Sequence, residues 1–412
     1  MNPISSESDS SQDDVIVLPP HQRQRAIALV LFAVVAVGMG QTVVFAILGP
    51  LGREVGLIEL QIGAIITCSS IIFSFFSPIW GRASDSLGRK KVMIIGLVGY
   101  TLGTVLFAST FLAGLKGWLT GTALFVGLIA ARMCQSIVMS ATSPSSTAYI
   151  SDVTDITDRT ASMGKIGAAH SIGTIVGPTL AGLAVFGLLA PLYFAAGVTL
   201  LAAILVTLYL PGLPPRIKTG ERSKKLSYFD TRILPFMIVG VSMFTGFSIV
   251  QQTLGFYFQD VLQLDAAQTA KQVGIAMMGS ALFALISQIV VVQRFAWRPV
   301  ILMRAGLVCM FIGFLGLATV ENFYWLVGAM CFVGAGMGMS MPGFSSAATL
   351  AVSPKEQGAV AGLISACPAL GFIVGPVLGA GLYQVNQYAP YWFSAFMFLP
   401  LIGFALVSAR LK

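Results

Sequence analysis

Long apolar runs closed by short polar breaks recur along this chain, and each run has about the 20-residue length that carries an α-helix across a bilayer. They predict spans at 26–50, 61–80, 92–113, 120–148, 160–186 and 189–210, then at 232–257, 272–293, 299–318, 323–351, 357–382 and 389–409. A polar stretch at 211–231 separates the two sets, so the expected architecture is all-α and membrane-embedded, with six spans, a hydrophilic linker and six more. Residues 1–25 form a Ser/Asp-rich polar segment without the apolar core of a cleavable signal; the expectation is a disordered tail, with the first span as uncleaved insertion signal. The division into units is therefore 1–25 tail, 26–210 first bundle, 211–231 linker and 232–412 second bundle.

Composition agrees with this pattern. The 412 residues are 56% hydrophobic and only 10% charged. That is too little charge to cover a water-facing surface, where about 25% is usual, so a soluble enzyme is excluded. The net charge of +8 could suggest nucleic acid, but its placement argues otherwise. With the breaks numbered alternately, one side holds most of the Lys and Arg, from Arg23 and Arg25 through Arg82, Arg89, Lys90 and Lys91 to the linker and the C-terminal end. The other side holds Arg53, Lys116 and Lys271. By the positive-inside rule, both termini and the linker belong in the cytoplasm. The five cysteines all lie in apolar runs without metal-ligand spacing, and no metal or cofactor is expected.

The two sets of spans are related. Gly164 to Gly177-Pro178 recurs as Gly362 to Gly375-Pro376 at a constant offset of 198 residues, close to half the chain. A repeat in the same direction implies two parallel halves about an axis along the membrane normal, an arrangement found in transporters. Span 5 also carries small residues at every fourth position, Ala169, Gly173, Gly177 and Ala181, which permit close helix approach, and Pro178 permits a bend. Gly371, Gly375 and Pro376 are their counterparts in span 11, and Gly164 and Gly182 bracket the span 5 pattern.

Between spans 2 and 3 lies Gly81-Arg-Ala-Ser-Asp85-Ser-Leu-Gly88-Arg89-Lys90-Lys91. A short connection uses glycine to turn and cations to hold it at the inner face, while its acid must find a partner. If the halves face each other, Asp85 lies near the start of span 11, whose helix N-terminus is partly positive, and that contact would shut the inner side. Span 4 contains Arg132, Gln135 and Ser136 on one helical face; an intramembrane arginine should meet a wet cavity or a partner.

On these motifs the chain resembles the twelve-span bacterial drug:proton antiporter branch of the major facilitator superfamily. The 81–91 stretch matches that family's Gly-x-x-x-Asp-x-x-Gly-Arg-Lys loop, span 4 is similar to its Arg-x-x-Gln-Gly with Ser136 in place of glycine, and span 5 matches its Gly-x8-Gly-x3-Gly-Pro-x2-Gly-Gly with Ala181 substituted. The resemblance implies an interdomain charge relay through Asp85 and Arg89, with Asp152 at the inner end of span 4 as partner of Arg89. It also implies proton-coupled exchange, and a midplane cavity lined by spans 1, 4, 7 and 10.

Candidate cavity residues are Gln41 and Phe45, Arg132 and Gln135, Phe244, Gln251 and Gln252, and Met337 and Met341. His170 in span 5 has Pro368 as its counterpart; imidazole titrates near neutrality, so a wet His170 could carry the coupling proton, and a packed one could not. No Asp or Glu falls centrally in a span, and Gln41 stands where many relatives for cationic drugs use an acid, so a neutral, zwitterionic or anionic molecule fits Arg132 better. No phosphate-binding Gly-x4-Gly-Lys-Ser/Thr loop is present. The expected function is secondary, proton-coupled efflux of a small amphipathic compound, without cofactor, by a monomer in the inner membrane. Alternatives are export of a siderophore or other metabolite, import, or a membrane sensor or membrane enzyme.

Overall fold

A computed structural model describes residues 19–154, 159–214, 230–295, 297–353 and 356–407 of the chain. Twelve helices in it are long and apolar enough to cross a membrane. Spans 1 to 6 are Pro20–Glu54, Glu59–Leu87, Arg89–Leu115, Gly121–Asp152, Ser162–Phe186 and Ala190–Tyr209. Spans 7 to 12 are Leu234–Leu262, Ala266–Arg294, Pro299–Thr319, Phe323–Leu350, Ala359–Val385 and Ala389–Leu406. Most of the linker, the tail to residue 18, and Asp155 and Asp158 lie outside the described residues. Twelve crossings place the start of span 1, the ends of spans 6 and 12 and the start of span 7 at one end of the bundle, the basic end.

Two boundaries differ from expectation. His21 to Arg25 belong to span 1 rather than to a tail, because Pro20 starts the helix, and proline at a first helical position lacks only an N–H that has no partner there. Span 2 runs on to Leu87, so Gly81 and Asp85 are helical and the connection shrinks to Gly88 alone. Gly88 has φ +94, a conformation that side chains other than glycine's rarely adopt. Gly81 instead packs on span 4, where a Cβ would lie 3.6 Å from Pro144.

Prolines interrupt several spans. Span 4 divides into Gly121–Met139 and Thr142–Asp152, just before Pro144, and span 11 breaks at Ser365, just before Pro368. Each proline removes the bond back to the carbonyl four residues earlier and crowds it. After Pro178, span 5 tightens into a 3₁₀ turn at Leu180–Phe186.

Packing repeats between halves: spans 1 and 5, 2 and 4, 3 and 4, and 3 and 6 pair in the first half, as 7 and 11, 8 and 10, 9 and 10, and 9 and 12 do in the second. Small residues set the closest pairs. A Cβ on Gly173 would stand 2.6 Å from the Val35 carbonyl oxygen of span 1, and one on Gly371 would stand 2.5 Å from Cβ of Phe244 in span 7. Gly375 approaches Ser248 of span 7 as closely, at 2.7 Å. Gly164 and Gly182 have no such role, since nothing lies within 4 Å of a Cβ on either.

The halves meet across three further pairs. Gly49 of span 1 faces Gly255 of span 7, Gly63 of span 2 faces the Pro376 carbonyl of span 11, and Gly274 of span 8 faces the Pro178 carbonyl of span 5. The Thr67 hydroxyl donates to the Ile373 carbonyl at 2.9 Å in the same span 2–11 seam. Gly49, Gly63, Gly255 and Gly274 lie in the halves of their spans remote from the basic end.

A Cβ at Gly177 would run into the Thr42 hydroxyl and lie 2.5 Å from the Met39 carbonyl oxygen. Gly177→Val should therefore cost about 1–3 kcal/mol through overpacking. Gly182→Ala should be neutral. Thermal melting of the purified variants in detergent checks both; equal melting points would contradict the packing assigned to span 5.

Candidate functional site

The interior of the bundle holds a cavity of about 510 Å³ lined from both halves. Spans 1, 4, 7 and 10 contribute Gln41 and Phe45, Arg132, Phe244 and Gln251, and Met337 and Met341. His170 and its second-half counterpart Pro368 also line it. His170 is exposed to this space rather than packed. Phe45 meets Phe372 of span 11 across the two halves, ring centroids 5.8 Å apart. A second hollow of about 320 Å³ shares Gln288 and Met341 with it and is otherwise lined by Val292, Gln293, Pro342 and Ser345 of spans 8 and 10, nearer the basic end.

Two predicted residues sit elsewhere. Gln252 is buried off the cavity wall, one residue and about 100° of helix away from Gln251. Gln135 is likewise buried behind the wall, where it holds Arg132. Its Oε1 accepts from an Arg132 Nη at 2.5 Å, and its Nε2 donates to the Thr104 hydroxyl of span 3 at 2.7 Å. Sequence reasoning also missed a lining of hydroxyls: Thr42, Ser69, Ser70, Ser74, Ser171, Thr174, Ser280 and Ser365. The run of serines in span 2 was the available signal. Ser69 and Ser136 share a hydrogen bond of 2.6 Å that ties spans 2 and 4 together, which explains a serine in the motif's last position.

Arg132 is 4% exposed, and its guanidinium lies 5.4 Å over the Phe107 ring. Its Nε–H has no acceptor and the side chain makes no ion pair among the described residues. A charge in the bilayer interior costs at least about 2.5–3.5 kcal/mol. A desolvated cation–π contact returns about 2 kcal/mol. An unsatisfied buried donor costs a further 1–3 kcal/mol, on the order of what the glutamine bond offsets. The guanidinium is thus positioned but incompletely compensated.

At the basic end, Arg89 is buried, donates from Nε to Asp152 at 3.0 Å and from an Nη to the Ser84 hydroxyl at 2.5 Å, and pairs with Asp85 one helical turn away. The relay of Asp85, Arg89 and Asp152 is therefore assembled within the first half, at the junction of spans 2, 3 and 4. Lys90 is half-buried beside it. In the second half, Arg232 bonds Asp230 at 2.8 Å and Glu356 at 3.0 Å, joining the starts of spans 7 and 11. The Arg232 guanidinium and the Ser353 hydroxyl hold the Glu356 carboxyl at about 2, so this contact persists at every pH above that and is lost only as pH falls through it.

The opposite end is closed by a charge cluster that bridges the halves. Arg53 of span 1 donates to Asp260 of span 7 and to Glu59 of span 2, each at 2.6 Å, and the Tyr383 hydroxyl of span 11 donates to Asp260 at 2.6 Å. The same guanidinium lies 5.1 Å over the Phe256 ring. Arg53 and Asp260 stand 207 positions apart, which conceals the pairing from the sequence.

The sequence profile described as Major Facilitator Superfamily matches residues 30–367 and 302–411. Multidrug resistance protein 1 of Bacillus subtilis is 28% identical over 365 residues, covering 87% of this chain and 89% of the relative. Quinolone resistance protein NorA of Staphylococcus aureus is 22% identical, covering 94% and 97%. Among solved structures, a bacterial homologue of the human lysosomal transporter Spinster, in an inward-facing and occupied conformation, superposes with a TM-score of 0.73 at 12% identity, covering 96% of this chain and 98% of that one. The nucleoside transporter NupG gives 0.74 at 16% identity, covering 93% and 100%. With twelve spans in two like-packed halves and a profile that covers most of its length, the chain belongs to the major facilitator superfamily of membrane transporters.

Proposed function

We propose that this chain exports a small amphipathic organic compound from the cytoplasm in exchange for protons, as a monomer energised by the proton gradient. The observation that carries the proposal is the central cavity, walled by both halves, with interhalf glycine packing at the end remote from the basic one. Positive-inside charge supports a cytoplasmic position for that basic end, and bacterial relatives support the inner membrane. The cavity then faces inward, ready to take cargo. Drug-resistance relatives and the span 5 glycine–proline pattern support the outward direction.

Alternating access follows from rocking one half against the other. To open outward, the Arg53–Asp260 bond must break along with the Gly49–Gly255 seam. To close inward, the Asp85 carboxylate leaves Arg89 and meets the partly positive start of span 11. Arg89 keeps Asp152 throughout, so the charge released at each stroke is the carboxylate alone. His170, open to the cavity, is the group that takes up and returns the proton.

Asp85→Asn should leave the protein inserted and lower initial export by about fivefold or more, the low end of typical coupling energies. Flux of a drug and metabolite panel into inside-out vesicles under an imposed pH gradient measures this, and flux insensitive to the gradient would sink proton exchange. His170→Asn should abolish the gradient dependence in the same assay; retained coupling removes His170 as carrier.

Arg53→Gln should loosen the outer closure. With Phe45→Cys as reporter in a background without native cysteines, an impermeant maleimide added from the outer side should label several-fold faster once Arg53 is replaced. Unchanged labelling would show that helix packing alone seals that end.

A further inference from the structure

Two side chains on the cavity wall can carry positive charge, Arg132 and His170, and among its described lining residues none is Asp or Glu. Arg132 is 4% exposed and lacks an acceptor for its Nε–H. Its groups in contact are a neutral glutamine, whose own amide is occupied by Thr104, and the face of Phe107. A dipole and a ring reduce the cost of that charge without cancelling it, and no anion among the described residues completes it.

Resting on the export reading, we propose that the cargo is an amphipathic organic anion, whose acidic group pairs with Arg132 while its apolar body lies against Phe45, Phe244 and Phe372. Three features of the wall point the same way. A cationic cargo would meet the fixed charge of Arg132, and a second whenever His170 holds a proton, with no counter-charge among the described lining residues. A neutral one would leave Arg132 uncompensated in both the loaded and the empty state. Serine hydroxyls at Ser69, Ser70 and Ser280 can turn their protons toward an anion and give it the additional donors that a desolvated carboxylate requires. At about 510 Å³ the cavity has the size of a site for a drug-sized molecule, with a predominantly apolar lining and few polar anchors. Arginine is suited to this task because its charge persists through the whole physiological range, so cargo selection is independent of the proton that His170 exchanges.

The test uses the full-length purified protein and three probes with one aromatic body: 2-naphthoate, 2-naphthylmethanol and 2-naphthylmethylammonium. Binding is measured by calorimetry in detergent, without any gradient. The anion is expected to bind about tenfold or more tightly than the ammonium probe, as one charge-assisted bond allows. Arg132→Gln should weaken naphthoate by about tenfold or more while leaving the alcohol within about threefold, and the retained alcohol binding reports an intact cavity. Arg132→Lys should keep part of the anion preference, and Gln41→Glu should shift preference toward the ammonium probe. Equal or tighter binding of the cation or the alcohol overturns the proposal. So does an anion preference that survives Arg132→Gln, or no binding of any probe at millimolar concentration. A bound and transported cation that responds to a pH gradient would overturn the anionic cargo and leave proton-coupled export standing, whereas bound naphthoate with gradient-insensitive flux would do the reverse.

Discussion

Hydrocarbon tolerates a full charge only at a cost of several kcal/mol, and this constraint arranges almost every ionisable group in the chain. Arg89, Asp85 and Asp152 cluster at one end of the spans, and Arg53, Glu59, Asp260 and Tyr383 at the other. Each cluster satisfies its charges internally, as burial at a bilayer boundary requires. Arg132 stands apart from both, deep in span 4 with a glutamine and a phenyl ring instead of a carboxylate. The anionic cargo proposed above would supply the partner that the described residues do not.

The glycines serve the same structure by a different route. Lipid tails are as apolar as leucine, so helices in a membrane associate through close packing rather than through burial from water. Spans 5 and 11 approach spans 1 and 7 through Gly173 and Gly177, and through Gly371 and Gly375. Those contacts pack the paired spans closely within each half. The seams between halves also use glycine, at Gly49 facing Gly255 and at Gly63, but there only part of the span length is engaged. Tight packing within halves and partial packing between them is the mechanical condition for two bodies that move against each other.

Much of this was legible in the sequence. Span number and the six-plus-six division follow from hydropathy and the repeat, which depend on local pattern, while Asp152 as the partner of Arg89 comes from the resemblance to the family. What stayed hidden depends on helix rotation and on distance in sequence. Gln251 and Gln252 are indistinguishable by composition, yet one step around the helix puts the first on the cavity and buries the second elsewhere. Gly81 appeared to belong to a turn, whereas the helix runs through it and only Gly88 needs the glycine conformation. Gly164 and Gly182 fit the family spacing without touching a neighbour. The Arg53–Asp260 pair could not be joined from the sequence, since nothing in either local sequence selects the other as partner.

The two charged ends are not equivalent. At the end remote from the termini, Arg53 of the first half is bonded to Asp260 of the second, so the ion pair itself spans the moving boundary. At the basic end, both acids of Arg89 come from its own half, and so do both acids of Arg232. An ion pair across the boundary stabilises the closed form of the end it spans, while pairs confined to one half are indifferent to rocking until a carboxylate changes partner. In this conformation the balance favours closure where the pair crosses. Only Asp85, about one-third exposed where Asp152 is buried, is free enough to make the exchange that would favour closure at the basic end. In the cycle proposed above, Asp260, which joins the halves at one end, and Asp85, which would join them at the other, act on either side of the cavity.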